Sequence, residues 1–247
     1  MKIRAATRAS LRLLHVFAHL FSGLLTIALI YPFCAEPTQL SLKQRWSSTL
    51  LRILGLKLKL SGELPPRGLL VSNHISFTDV FAINAFGPSS FVAKADVQRW
   101  PLIGWLAKHN DTLFLARGSR RAAQQAREQM AEHLRAGKRI VVFPEGATGN
   151  GDHVAPFHGA LFQAAIDAAE IITPLAVQYT DHSGTRSYAA AFIGGMTLVE
   201  CFWNIACADN VTVSVTILPV VHTHTGDRRH LSAHAHHAIS HYLNPHH

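Results

Sequence analysis

The chain has 247 residues, 48% hydrophobic and 15% charged, a balance that argues against a disordered polymer and supplies the apolar side chains of a substantial core. Lysine and arginine outnumber aspartate and glutamate by 23 to 15, a formal net charge of +8, which suits an anionic partner: nucleic acid, anionic lipid or a phosphorylated substrate. Three cysteines, Cys34, Cys201 and Cys207, show no C-x-x-C spacing, which argues against a disulfide scaffold and a paired-cysteine metal centre.

Lys2, Arg4, Arg8 and Arg12 precede an apolar run over residues 13–34, broken only by His15, His19, Ser22 and Thr26. About twenty such residues are enough to span a bilayer. No small-x-small cleavage site follows, so a membrane-associated helix is expected rather than a signal peptide. Residues 41–54 predict a second, amphipathic helix, with Trp46, Leu50, Leu51 and Leu54 at helical spacing and Lys43, Arg45 and Arg52 among them. Basic residues lie on both sides of the apolar run, so charge gives no strong orientation. Residues 1–55 are thus expected to form a membrane anchor of two helices, and residues 56–247 the functional domain.

Beyond the anchor, strand-like and helix-like segments alternate. Strands are predicted at 56–60 (an edge strand by its Leu-Lys alternation), 69–72, 91–93, 112–115, 139–143, 173–179, 187–193 and 211–218. Helices are predicted at 80–85, 102–109 after a turn at Trp100-Pro101, 119–136 with Gly137 as its C-cap, 159–169 and 198–207. This order implies an α/β fold: a mixed, largely parallel sheet flanked by helices on both faces.

Two short stretches carry the chemistry. Asn73-His74-Ile75-Ser76-Phe77-Thr78-Asp79 follows the apolar run Leu69-Leu70-Val71, and Phe143-Pro144-Glu145-Gly146 follows Ile140-Val141-Val142. Each sits where a buried strand ends, the edge at which open α/β sheets build active sites. A histidine takes a proton from a hydroxyl, and an aspartate fixes its tautomer and steadies the imidazolium. Five residues on a helix is about 140° of rotation, so His74 and Asp79 meet only if His74 is on the incoming loop and Asp79 in the first helical turn. His222 and Asp227 share the spacing but lie in a polar loop.

Glu145, between a proline and a glycine, reads as a second acid or base, as a ligand for substrate hydroxyls, as a group positioning backbone amides, or as a charge-paired turn residue. Gly146, Gly149 and Gly151 form a loop whose amides could approach a ligand, without any G-x-x-x-x-G-K pattern. Lys94, just past a strand, is either a phosphate neutraliser or a solvated lysine. Residues 117–121, Arg-Gly-Ser-Arg-Arg, form either an anion site at a helix start or a solvated charge run. No G-x-S-x-G elbow is present and no cysteine has the surroundings of a reactive thiolate, so a covalent nucleophile is not expected. Nine histidines follow residue 221; His237 and His241 are four apart, but no carboxylate or cysteine completes a set, and no metal or cofactor is expected.

The Asn-His-x-Ser-x-x-Asp stretch at 73–79 resembles the first motif of the glycerolipid acyltransferases, the family of the 1-acylglycerol-3-phosphate acyltransferases. Phe114-Leu115-Ala116-Arg117-Gly118 resembles its second motif, Phe143-Pro144-Glu145-Gly146 its third, and Thr173-Pro174-Leu175 its fourth, in the right order across residues 56–220. The resemblance implies acyl transfer from an acyl thioester, of coenzyme A or acyl carrier protein, to a lysolipid hydroxyl. It implies His74 as base, Asp79 as its orienting partner, and Arg117, Gly118, Glu145, Gly146, Lys94 and Pro174 around the substrate. It also implies phosphatidic acid as product from 1-acyl-sn-glycerol-3-phosphate, with Arg117 gripping the phosphate bidentately.

The chain departs from the family at two places: Ala116 stands where an acidic residue is usual, and Thr148 where an arginine often is. The second loss removes one phosphate-facing cation and makes a lyso-ornithine lipid a rival acceptor. Thioester hydrolysis, with His74 acting on water, is a further alternative, and a non-catalytic basic adaptor a third; interleaved surface aromatics are too scarce for nucleic acid. Because acyl thioesters are cytoplasmic, the helix pair is expected to lie in the cytoplasmic face of the inner membrane. His74→Ala and Asp79→Ala are both expected to abolish transfer without loss of folding.

Overall fold

Runs such as Leu69-Leu70-Val71 and Ile140-Val141-Val142 send apolar side chains to both sides of a strand, so their sheet needs cover on both faces. The computed structural model, which describes residues 2–100, 103–115 and 120–245, meets that need. Its seven strands are β1 (Leu56–Ser61), β2 (Gly68–Ser72), β3 (Ser90–Lys94), β4 (Leu113–Leu115), β5 (Arg139–Val142), β6 (Ile172–Thr180) and β7 (Val211–Ile217), in the order β1-β7-β6-β2-β5-β3-β4. Every neighbouring pair is parallel except β6 and β7. This is the mixed, largely parallel sheet expected, with the Leu-Lys strand β1 at an edge.

Among the described residues eight α-helices accompany it: α1 (Lys2–Leu25), α2 (Glu36–Leu54), α3 (Thr78–Phe86), α4 (Ile103–Lys108), α5 (Arg120–Arg135), α6 (Gln163–Ala168), α7 (Leu198–Cys207) and α8 (Arg228–Leu243). On one face Leu70, Val141 and Val177 pack with Leu50, Leu51 and Leu54 of α2, Ile83 of α3 and Ile205 of α7. On the other, Leu69, Val71, Ile140 and Val142 pack with Met130 and Leu134 of α5, Ala164 of α6 and Leu231 of α8. Neighbouring residues of β2 thus serve opposite cores, as the pleat demands.

Helix α1 begins at Lys2 and runs on through one π-turn, Thr26–Ile30, and a 3₁₀ turn, Tyr31–Phe33. The basic residues read as its flank are therefore within the helix, and two are spent on the domain. Arg8 donates to the carbonyl of Cys207 (2.8 Å) and pairs with Asp209 (2.9 Å); Arg12 donates to the carbonyls of Ala206 (2.9 Å) and Ala208 (2.8 Å). Two cations thereby meet the negative end of α7, where a helix favours them. Further along, His19 and Trp46 of α2 stack at 4.6 Å and each bonds the other's backbone carbonyl. Gly23 admits the indole: a β-carbon there would meet Trp46 Nε1 at 2.7 Å.

The outer stripe of α1 is apolar and bare. Leu14, Phe17 (70% exposed) and Phe21 lie on it, and exposed Leu29 of the π-turn and Phe33 (88% exposed) follow. Among the described residues, Ala5–Phe33 is the one helical stretch long and apolar enough to cross a membrane.

Three expectations need adjustment. Residues 187–193 do not form a strand; after the bridge between Thr180 and Arg186 the chain runs irregularly, turning at residues 189–190 and again at the glycines Gly194 and Gly195. Its ties are single bonds to separate segments: Ser187 N–H reaches the Tyr179 carbonyl (2.9 Å) and Phe192 N–H the Ile75 carbonyl (3.0 Å). The helix read at 159–169 divides into a 3₁₀ turn, Gly159–Phe162, and α6. Pro101, Leu102 and Ser119 lie outside the described residues, so the starts of two predicted helices are described only from Ile103 and Arg120.

Candidate active site

Strands β2 and β5 are adjacent and parallel, with Val71 opposite Val142, so the segments that leave them emerge side by side at one edge of the sheet. Asn73 continues the sheet beyond the last residue of β2. Its side chain accepts from Val177 N–H (2.8 Å) and donates to Val177 C=O (2.9 Å), imitating a strand residue against β6. That double bond anchors the turn on which His74 sits.

His74 is on the incoming loop and Asp79 in the first turn of α3, the arrangement the five-residue spacing requires. His74 Nδ1 lies 2.9 Å from Asp79 Oδ2. A carboxylate acceptor there fixes the Nδ1–H tautomer and leaves the Nε2 lone pair for a proton. Among the described residues nothing bonds Nε2, and the side chain keeps 19% of its surface open. The imidazole stacks on Phe143 at 3.9 Å, the planes 13° apart, which holds its orientation from the side.

Asp79 is fully buried and fully partnered. Oδ2 also accepts from the backbone N–H of Ile75 (2.7 Å) and Ser76 (2.9 Å), while Oδ1 accepts from the Tyr179 hydroxyl (2.6 Å). These donors supply the partners that a polar group taken out of water needs. The amides at the start of α3 are consequently occupied: Thr78 N–H bonds Ser76 Oγ and Asp79 N–H bonds the Ser76 carbonyl. The amides of Thr78 and Asp79 are thus committed to holding the motif together.

Glu145 performs one of the roles its turn position allowed, that of positioning amides. Oε1 accepts from His74 N–H and Oε2 from Ala155 N–H, both at 2.7 Å. Burial pushes its carboxyl up, and the two backbone bonds pull against that shift. Gly146 follows in the left-handed region (φ +74°), turning the loop back so that Gly149 N–H reaches the His74 carbonyl at 2.8 Å. Glu145→Gln is expected to set an amide N–H₂ against one of the two backbone donors. Loss of about 1–3 kcal/mol of stability is expected from thermal unfolding, together with slower catalysis from a loosened His74 loop.

Thr148, at the position where the resembling family often has arginine, donates to the Phe192 carbonyl, and Phe192 N–H bonds the Ile75 carbonyl at 3.0 Å. The irregular segment 187–193 is thereby tied to both motifs, which explains its form better than a strand would. Lys94 is exposed at the end of β3 and makes no bond to the His74 cluster. Pro174 is buried in β6 opposite Val71, and its carbonyl accepts from Leu218. Arg117 and Gly118 lie outside the described residues. His74, Asp79, Glu145 and Gly146 therefore gather at one place, while Lys94 and Pro174 stand apart from their hydrogen bonds.

Cys201 lies behind the motif, its thiol pushed up to about 11 by burial, and at neutral pH it is no nucleophile. Among the described residues no three of His, Cys, Asp and Glu group as metal ligands; His237 and His241 have ring centroids 6.0 Å apart. Sequence reasoning passed over Tyr179, the ring stack of Phe143 and the strand-like grip of Asn73. The tyrosine that follows Leu175-Ala176-Val177 and Gln178 in β6 was the one available signal, since a buried hydroxyl needs a partner.

Residues 57–178 match the family described as Acyltransferase. The chain is 33% identical over 204 residues to a lyso-ornithine lipid O-acyltransferase of Pseudomonas aeruginosa, covering 82% of this chain and 78% of that protein. It is 34% identical over 168 residues to a 1-acyl-sn-glycerol-3-phosphate acyltransferase of Neisseria meningitidis, covering 68% and 66%. The crystal structure of the 1-acyl-sn-glycerophosphate acyltransferase PlsC from Thermotoga maritima shares the fold, with a TM-score of 0.75 over 99% of this chain and 96% of that one, at 17% identity. On these matches the chain belongs to the acyltransferase family.

Proposed function

We propose that the enzyme moves a fatty acyl group from an acyl thioester, of coenzyme A or acyl carrier protein, to the free hydroxyl of a lysolipid. The observation that carries this reading is the His74–Asp79 pair, buried on the carboxylate side and open at Nε2. In the proposed step Nε2 takes the proton of the acceptor hydroxyl as its oxygen attacks the thioester carbonyl. The C–S bond then breaks, and the imidazolium returns the proton to the departing thiolate. Asp79 holds the Nδ1–H throughout, and Glu145 holds the loop that carries His74. Hydrolysis requires water to take the acceptor's place at the same nitrogen, and is the outcome to be measured beside transfer.

The acceptor we propose is 1-acyl-sn-glycerol-3-phosphate, giving phosphatidic acid, with Arg117, Gly118, Gly146 and Lys94 around the head group and Pro174 fixing the strand beneath. The chain's excess of basic residues supports a phosphorylated ligand. One observation favours lyso-ornithine lipid as a second reading: Thr148 offers no cation, and its hydroxyl is spent on Phe192. Purified enzyme in lipid micelles, offered both acceptors with His74→Ala as control, decides. Product from lysophosphatidic acid alone supports the first reading, and from the ornithine lipid alone the second. Release of free fatty acid without either product replaces both with hydrolysis.

The membrane is proposed to meet the outer stripe of α1, with residues 1–55 as the membrane-facing part and 56–247 as the catalytic domain. An interfacial helix, apolar outside, bolted to the domain by Arg8 and Arg12 and to α2 by His19, fits this packing better than a span that would leave the domain. The cytoplasmic face of the inner membrane is proposed because the donors are cytoplasmic. Phe17→Asp with Phe21→Asp is expected to move the protein from the membrane fraction to the soluble one. Transfer to detergent-dispersed lysolipid should change less than about threefold, since neither residue contacts the His74 cluster.

A further inference from the structure

Resting on the reading of His74 and Asp79 as the catalytic pair, the structure adds a member that neither short motif contains. Tyr179 lies 100 residues from Asp79 in sequence, near the end of β6, and is fully buried. Its hydroxyl sits between two partners, 2.6 Å from Asp79 Oδ1 and 2.7 Å from Thr78 Oγ1. Asp79 Oδ1 is an acceptor only, so the phenolic proton points to it. Tyr179 Oη is then left to accept from Thr78, whose own neighbour Ser76 Oγ is 3.0 Å away.

We propose that Tyr179 is a positioning residue for the His74–Asp79 pair, its hydroxyl occupying the second carboxylate oxygen so that the first stays turned to His74 Nδ1. The geometry excludes a role in substrate binding, because the ring and hydroxyl have no exposed surface to offer. It also explains why a hydroxyl is kept inside an apolar strand facing the core. A phenylalanine there would pack equally well but leave Oδ1 buried without a donor. Burial and the neighbouring Asp79 push the phenol's ionisation well up, so it acts as a donor across the working range. The relay runs Thr78 O–H to Tyr179, and Tyr179 O–H to Asp79, each bond polarising the next.

The titratable groups facing Asp79 from the elements around it are His74, Glu145, Cys201 and Tyr179 itself. Of these, only Tyr179 donates a side-chain hydrogen bond to the oxygen that His74 does not use. Removing that donor concentrates charge on the carboxylate, which then holds the imidazolium more firmly. The consequence has a definite sign: His74 should titrate at higher pH.

The test is Tyr179→Phe in the wild-type and in the Asp79→Asn background. Three quantities are followed: the pH profile of kcat/KM for acyl transfer to lysophosphatidic acid and lyso-ornithine lipid, KM, and the His74 imidazole titration by NMR. The expected result is a fall in kcat of roughly tenfold with KM little changed, and an acid limb displaced upward by about half a pH unit or more. In the Asp79→Asn background the same change should cost less than about twofold, because the carboxylate charge through which Tyr179 acts on His74 is absent there. Thr78→Val, close in volume and less disruptive, should shift the His74 titration in the same direction by a smaller amount, so a Tyr179→Phe protein that fails to fold does not end the test. An unmoved His74 titration in the variants that fold, or an equal loss of rate in both backgrounds, overturns the proposal. Failure of the underlying pair is read separately, as full transfer by His74→Ala.

Discussion

His74→Ala is expected to lower kcat/KM for acyl transfer by roughly 10²–10⁴-fold, the range a positioned general base supplies, while leaving the fold intact. Among the described residues the imidazole makes one hydrogen bond, through Nδ1, and its ring packs on one face against Phe143. The backbone bonds that shape the loop, from Glu145 to His74 N–H and from Gly149 to the His74 carbonyl, do not involve the side chain and survive. Circular dichroism and the melting temperature should therefore stay near wild type while rate collapses. A variant retaining more than about a tenth of the wild-type rate at neutral pH would remove His74 from the role of base.

Asp79→Ala is expected to do more damage, and of a different kind. The sequence suggested that it would cost activity alone, but the carboxylate holds the buried N–H groups of Ile75 and Ser76 and the hydroxyl of Tyr179 as well as His74. Its removal strands these donors in a site closed to water, each at about 1–3 kcal/mol. Such a loss approaches the whole stability of many domains. Asp79→Ala is expected to be poorly folded or several degrees less stable, and inactive. Asp79→Asn keeps one oxygen and the volume, and should fold better while still losing rate, because the amide carries no charge and its N–H₂ group accepts no hydrogen bond in place of the oxygen it replaces. Thermal unfolding and transfer rate measured on the pair separate the structural share from the catalytic one. Equal melting temperatures for Asp79→Ala and wild type would refute the structural share.

Much of this was legible locally. Apolar strands ending at Ser72 and at residue 143, and a histidine five residues before an aspartate, were enough to place His74 on a loop and Asp79 in a helical turn. Alternation of strands with helices such as α5, whose apolar stripe and Gly137 cap are written in adjacent residues, was enough for the fold class. Local pattern reaches this far because side-chain period and capping are decided within a few residues.

Other features had no local signature. The run 187–193 has strand composition, yet it became an irregular tether whose backbone bonds go to Tyr179 and to Ile75, two separate segments rather than one strand. Arg8 and Arg12 read as charges beside a hydrophobic run; their capping of α7 joins residues some 194–201 positions apart. Glu145 remained open among four roles until its two oxygens were seen to meet the amides of His74 and Ala155.

The sequence by itself thus determined the α/β class, the strand end from which His74 emerges, and the placing of His74 on a loop with Asp79 in the helical turn that follows, since these follow from short-range periodicity and spacing. Only the tertiary structure decided that Asp79 is held by Tyr179 from β6, that Glu145 braces the His74 loop, and that α1 lies against α2 and α7 with one apolar stripe bare. Each of those is a contact between distant segments, and such contacts are set by how the buried faces close on one another rather than by any neighbouring residue.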